Sequence, residues 1–419
     1  MDGVSFLRPP RPTAGAQVRF MTAGSVDDGK STLIGRLLLD SRALMQDQIG
    51  ALAGEGDELD LASLTDGLEA ERAQGITIDV AYRYFATPRM SFVIADAPGH
   101  EQYTRNMVTA ASVSDVAVIV VDAARFDGTA LLAQTRRHAA IAALMGLDVI
   151  VAVNKMDLVD WSKAKFDAIC RAFRATTEAL GASAIDFVPI SAKAGDNVVT
   201  RGRAGWYAGP TLIEVLEATP ARASRTEAPL RLPVQLVLRD GDARLYAGRL
   251  ESGTVRIGDE VAVGVSALPA KVASISISGR TAAQAVAGDS VTLTLSEERD
   301  LGPGGVIADL EVRYARRLVA DLCWLDEAQW SPARRYKLRQ GTLETQALIG
   351  RVRSVRDIAT FAGVEASALR LNDIASVEIA TRDPLLADRY ADLPGTGAFV
   401  LFDPDTHQTA AAGMIREVL

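Results

Sequence analysis

The sequence predicts a doubly wound, mainly parallel α/β sheet followed by two small antiparallel β-barrels. Three observations predict it. Up to about residue 220, short and nearly continuous apolar runs alternate with longer helical patterns, the signature of strands buried on both faces between layers of helix. The composition then changes at "EATPARASRTEAP" (217–229), a stretch bearing Pro, Ala and Ser that reads as a linker. Beyond it the strands are short, with turn signals between them. The expected organisation is a flexible leader at 1–16, the α/β domain at 17–220, one barrel at 228–310 and a second at 311–419.

In chain order, the α/β strands are "VRFMTAG" (18–24), "MSFVIAD" (90–96), "VAVIVVD" (116–122), "DVIVAVN" (148–154) and "DFVPIS" (186–191). Between them, "TALLAQTRRHAAIAALMG" (129–146) and "WSKAKFDAICRAFRATTEALG" (161–181) carry helical patterns. The first barrel is read from "SGTVRIGDEVAVG", "AKVASISISGR" and "GDSVTLTL", closing with "GPGG" at 302–305. The second is read from "RRLVADLCWL", "RYKLRQGTLETQALIGRVRSV", "ASVEIAT" and "GAFVLFD".

Composition narrows the function classes. Of 419 residues, 48% are hydrophobic and 23% charged, an ordinary globular balance. Cys170 and Cys323 are far apart, which argues against a disulfide framework or a structural zinc site and suits a reducing cytoplasm. The N-terminal stretch has no apolar signal-peptide core, and the apolar runs fall well short of the ~20 residues of a membrane span. A net charge of −8 disfavours broad nucleic-acid binding.

The chemistry lies in short motifs at strand ends. "GSVDDGKS" (24–31) fits G-x-x-x-x-G-K-[ST] between a predicted strand and the helix "KSTLIGRLLLD". Gly24, Ser25, Val26, Asp27, Asp28, Gly29, Lys30, Ser31 and Thr32 would cradle phosphates on backbone amides and the helix N-terminus. Lys30 would reach the outer phosphates and Ser31 would bind Mg2+. The two carboxylates in the loop can project outward, off the phosphates, and Asp27 is a candidate for holding a monovalent cation or for ordering the segment near Thr77.

"DAPGH" (96–100) follows the next strong strand. Asp96 is the second Mg2+ anchor, directly or through water, Gly99 offers its N–H to the γ-phosphate, and His100 falls within reach of an attacking water. "NKMD" (154–157) and "SAK" (191–193) end two further strands. Asp157 can accept from the N1 and N2 edge of guanine, and Asn154 can bridge base and loop. Lys155 can lie over the purine, and the Ala192 N–H, flanked by Ser191 and Lys193, can meet O6. The set points to a guanine nucleotide. "DGLEAERAQGITID" (66–79) sits between loop and Asp96 strand, with Thr77 placed to complete the metal shell. Of the other two histidines, His138 lies beside Arg136 and Arg137 and is expected on a solvated helix face, and His407 falls in a turn-rich loop.

Taken together, these elements resemble the translation-factor class of GTPases, and the two trailing barrels match the architecture of elongation factor Tu. That resemblance makes the first domain a P-loop GTPase domain and gives His100 the role of orienting the hydrolytic water. "GSVDDGKSTLIGRLL", "DGLEAERAQGITIDVAYRYF", "DAPGHEQYTRNM" and "NKMDLVDW" are more closely similar to the large, GTP-hydrolysing subunit of heterodimeric bacterial sulfate adenylyltransferase, with looser agreement through the barrels. The resemblance implies that GTP hydrolysis drives formation of adenosine 5'-phosphosulfate from ATP and sulfate, with adenylyl transfer on a separate small subunit. The residues agree with that division. No second phosphate loop, His-x-Gly-His element or Ser-Gly-Gly-x-Asp-Ser loop follows residue 31. Some relatives carry a fused adenylylsulfate kinase after the second barrel, and with the sequence ending at Leu419 no kinase activity is expected. The alternative is an elongation-factor-like GTPase delivering aminoacyl-tRNA. Ser25 and Asp28 stand against it, because elongation factors typically carry His at both places.

Overall fold

A computed structural model describes residues 17–43, 61, 79–180, 185–219, 225–241 and 243–419. The chain divides into two compact units, Met1–Arg222 with Asp357–Ala362, and Ala223–Arg356 with Gly363–Leu419.

The first unit is built on a six-stranded sheet. Its elements are β1 (Gln17–Ala23), α1 (Lys30–Asp40), β2 (Ala81–Ala86), β3 (Ser91–Asp96), α2 (Thr104–Ser112), β4 (Val116–Asp122), α3 (Ala133–Leu144), β5 (Asp148–Asn154), α4 (Lys163–Leu180), β6 (Ile185–Pro189) and α5 (Leu212–Ala218). The spatial order is β2-β3-β1-β4-β5-β6. β3, β1, β4, β5 and β6 run parallel, so their C-terminal ends share one edge, where ligands of doubly wound sheets bind. Every residue of β4 is buried, as its unbroken apolar run requires.

β2 is the one strand of this sheet for which the sequence reading had no counterpart. It runs antiparallel to β3 at the sheet edge. Its residues alternate, with Phe85 inward and Tyr84 68% exposed, so it lacks the continuous apolar run that marks its neighbours. α1 places Leu33, Ile34, Leu37 and Leu38 against Val18 and Phe20 of β1 and Val118 of β4. That packing fixes the N-terminus of α1 at the end of β1. α5 starts with a capping box, in which Thr211 accepts from the Glu214 N–H and Glu214 accepts from the Thr211 N–H.

The second unit holds two antiparallel barrels. The first comprises β7 (Arg231–Asp240), β8 (Ala243–Arg249), β9 (Thr254–Arg256), β10 (Glu260–Val263), β11 (Leu268–Ile277), β12 (Arg280–Ala282), β13 (Gln284–Val286), β14 (Ser290–Leu295) and β15 (Val306–Ala308). Its order β10-β15-β7-β8-β14-β11 closes through pairing of β10 with β11. The second comprises β16 (Tyr314–Trp324), β17 (Arg335–Gln340), β18 (Leu343–Arg356), β19 (Gly363–Val364), β20 (Ile374–Leu386), β21 (Ala398–Phe402) and β22 (Thr409–Val418). It closes as β17-β21-β22-β16-β20-β18 through β17 against β18. Closure removes sheet edges that would otherwise be exposed.

The two barrels are tied by a buried arginine. Arg231 on β7 makes two parallel hydrogen bonds to the Asp388 carboxylate, which follows β20, and a third to Asp309. No helix among the described residues is long and apolar enough to cross a membrane.

Candidate nucleotide site

The sequence-predicted motifs meet at the C-terminal edge of the parallel sheet. β1 ends at Ala23, and the chain turns through Gly24–Gly29 into α1. Gly29 adopts φ +93°, and a Cβ there would lie 2.4 Å from Asn154 Nδ2, so only glycine lets the loop approach β5 this closely. Lys30 is buried, and its ammonium donates to the Gly24 and Ser25 carbonyls at 3.0 and 2.9 Å, folded back over the loop. Burial lowers its proton affinity against the pull of Asp28, Asp96 and Asp27, and a polyanion beside it would add further counter-charge. Ser31 and Thr32 are half-buried in the first turn of α1, and Val26 is half-buried within the loop.

The loop carboxylates part company. Asp27 takes a left-handed backbone conformation, φ +65°, tolerated by aspartate. It is exposed, and it is the carbonyl of Asp27 that the structure uses, accepting from Lys155 Nζ at 2.6 Å. Asp28 corrects the reading that both carboxylates can project outward. It is 1% exposed and turned into the loop, where Oδ2 accepts the Ser25 N–H at 2.7 Å. Oδ1 has no hydrogen-bond partner among the described residues, and the nearest cation, Arg125, lies 3.7 Å away. Burial pushes this carboxyl up to about 6, against the pull of Lys30 and the Ser25 N–H.

At the end of β5, Asn154 is a junction. Its Nδ2 donates to the Asp28 carbonyl at 2.8 Å, and its Oδ1 accepts the Ala192 N–H at 2.9 Å. The Ala192 N–H, expected to meet a guanine O6, is therefore directed at Asn154 here. Lys155, in a left-handed conformation, bridges loop and sheet by pairing with Asp122 at 2.8 Å. Asp157 is exposed in the short 3-10 helix Met156–Val159, and Ser191 is buried beneath the turn carrying the exposed Lys193. Arg36 of α1 donates to the Ala192 carbonyl, so α1 and the 191–193 turn are also joined.

Asp96 is buried at the tip of β3 and accepts from Thr22 Oγ1, its register partner on β1, at 3.1 Å. Gly99 passes so close to the loop that a Cβ would lie 2.5 Å from Lys30 Nζ. His100 follows, half-buried, its ring edge-on to Tyr103 with centroids 6.3 Å apart. Thr77 lies outside the described residues. Ser31 and Asp96 offer hard oxygen donors, the kind Mg2+ takes beside phosphate oxygens.

His138 departs furthest from expectation. It is buried, with its ring turned toward the phosphate loop, and Nδ1 accepts the Gly24 N–H at 3.0 Å. The flanking Arg136 and Arg137 are half-buried, so they did not mark a solvated face at His138. The signal that could have found it is spacing: Thr135, His138, Ala139 and Ala142 recur at the interval of one helix face, and all four are buried.

Comparison with known proteins gives this geometry a family context. The family model described as Elongation factor Tu GTP binding domain matches residues 16–223, and that described as GTP-eEF1A C-terminal domain-like matches residues 317–416. Sulfate adenylyltransferase subunit 1 of Teredinibacter turnerae is 43% identical over 414 residues, spanning 96% of this chain and 88% of that protein. The subunit 1 of Rhizobium meliloti is 45% identical over 422 residues, spanning 98% of this chain and 82% of that protein. The bifunctional enzyme NodQ of a Rhizobium strain is 45% identical over 410 residues, but the chain spans only 63% of NodQ's length. Among solved structures, Sup35 complexed with GDP aligns over 99% of this chain and 97% of its own at 22% identity, with a TM-score of 0.45.

Proposed function

The chain belongs to the sulfate adenylyltransferase subunit 1 family, and on that premise we propose that it is the GTP-hydrolysing subunit of a sulfate-activating complex. GTP is hydrolysed to GDP and phosphate here. On a separate small subunit, ATP and sulfate become adenosine 5'-phosphosulfate and pyrophosphate, in the cytoplasm. The single observation that carries the nucleotide assignment is the Asn154 junction, which joins the phosphate loop to the turns expected to read guanine.

In this reading the loop amides and Lys30 bind the phosphates, and Asp157 with the 191–193 turn selects guanine. Ser31, Asp96 and Thr77 hold Mg2+, which neutralises charge on the phosphates. His100 orients the hydrolytic water, and catalysis rests on positioning and charge neutralisation without a covalent intermediate. Asp27 is exposed beside the loop, which supports its proposed contact with a monovalent cation.

The test is reconstitution with the small subunit and measurement of ATP- and sulfate-dependent pyrophosphate release with and without GTP. GTP-stimulated release is expected. No stimulation, together with tight aminoacyl-tRNA binding, would favour the elongation-factor reading and overturn this one.

A further inference from the structure

The loop that holds the phosphates is itself held from behind. We propose that His138 is a positioning residue for nucleotide binding, pinning the start of the phosphate loop to α3 by accepting the Gly24 N–H at Nδ1. The proposal rests on the nucleotide reading of this loop and adds a residue that no loop motif contains.

Several observations converge on it. The Gly24 N–H lies at the point where the chain leaves β1 and is no longer held by the sheet ladder to β4, which ends at Ala23. A buried amide at such a junction needs an acceptor, and the one it finds comes from 114 residues along the chain. A second bond repeats the connection on the next residue, since Ser25 Oγ lies 3.1 Å from Thr135 Oγ1. Thr135 and His138 are one helical turn apart, so both contacts come from the same face of α3, and both side chains are 1% exposed.

The ring must be neutral with its proton on Nε2, because Nδ1 accepts. The surroundings keep the ring neutral, and the Gln134 side-chain amide lies 3.1 Å from Nε2. Burial, then the nearby charges of Lys30 and Arg137, push the imidazole down to about 3. A charged imidazolium would add a second cation behind a loop built to hold an anion, but would lose its grip on the Gly24 N–H. A neutral acceptor orients the loop without competing with Lys30 for the phosphates.

What the contact controls is the shape of the loop before nucleotide arrives. Gly24 and Ser25 are also the carbonyls that hold Lys30. Freeing their backbone would let the lysine and the loop amides sample other arrangements, and binding would have to select against them.

The experiment uses the full chain loaded with a fluorescent guanine nucleotide. His138→Leu keeps the bulk and removes the acceptor, and is expected to raise the GDP dissociation rate about tenfold, as the loss of a buried hydrogen bond would. His138→Asn puts an amide oxygen where Nδ1 sits and should restore slow dissociation. Thr135→Val should give a smaller rise. Dissociation unchanged in His138→Leu overturns the proposal, and so does His138→Asn behaving like His138→Leu at equal melting temperature. Should His138→Leu fail to fold, ring nitrogen NMR of the wild-type protein decides, aided by there being only three histidines. A proton on Nδ1 of His138 sinks the idea. If wild-type protein itself binds no guanine nucleotide, it is the nucleotide reading that has failed, a result distinct from any of these.

Discussion

Replacing Asp28 with asparagine should stabilise the nucleotide-free protein, and the gain should depend on pH in a defined direction. The folded carboxyl titrates near 6 where its ordinary value is 3.8. Its folded-state pKa is raised, so the favourable state is the protonated one. The stability is fully present below 3.8 and is lost as pH rises through about 6. At about 1.36 kcal/mol per tenfold in proton affinity, holding this buried charge costs about 3 kcal/mol at pH 8, with the attraction of Lys30 already counted. Asparagine keeps the acceptor for the Ser25 N–H and replaces Oδ1, which has no hydrogen-bond partner among the described residues, with an amide nitrogen. The Asp28→Asn variant should gain about 3 kcal/mol at pH 8, and about 1 kcal/mol near pH 4.5 where wild type is mostly relieved of the charge. Urea unfolding of the nucleotide-free protein, followed by circular dichroism at both pH values, measures it. An equal difference at both values would refute the electrostatic reasoning, as would a variant less stable than wild type at pH 8.

Three more outcomes are expected. His100→Ala should slow single-turnover GTP hydrolysis by ~100-fold or more while leaving GTP affinity within a few fold, and a large loss of affinity would instead make the residue structural. Asp157→Asn should weaken GTP binding and admit xanthosine nucleotides, so competition binding that keeps full guanine selectivity would overturn its assignment. Arg231→Leu strands the Asp388 and Asp309 carboxylates beside a new apolar side chain. Urea unfolding should show a loss of about 3 kcal/mol, largely recovered by the double variant Arg231→Leu/Asp388→Leu. No recovery would mean that the stranded Asp388 charge is not the cause.

What the sequence made legible follows from burial. β4 is buried at every position and β3 and β5 at every position but the first, so apolar residues run through them and the strands can be read directly, while β1 exposes Gln17 and Arg19 and is continuously buried only from Phe20 on. β2 carries the opposite pattern, with exposed tyrosines and an inward Phe85, and its pairing with β3 is set by the sheet rather than by its own composition. The motif residues were legible for a different reason. A phosphate loop must place glycine where Asn154 comes within 2.4 Å of a built Cβ, and that demand leaves a fixed spacing in the chain.

Illegible were the side chains whose role depends on direction. The left-handed turn at Asp27 sends one carboxylate out and the next one in, and nothing in "DDG" says which. His138 stands between residues that suggest solvent, yet it reaches a backbone amide 114 residues away that no local pattern could announce. Both belong to one network. The Gly24 N–H goes to His138, the Ser25 N–H to Asp28, the Asp28 carbonyl to Asn154, and Asn154 to the Ala192 N–H. The phosphate loop is thus held by α3 on one side and by Asn154 and the 191–193 turn on the other. A change at either end would reach the nucleotide through the same few backbone groups. That physical link explains why motifs so far apart in sequence belong to one site.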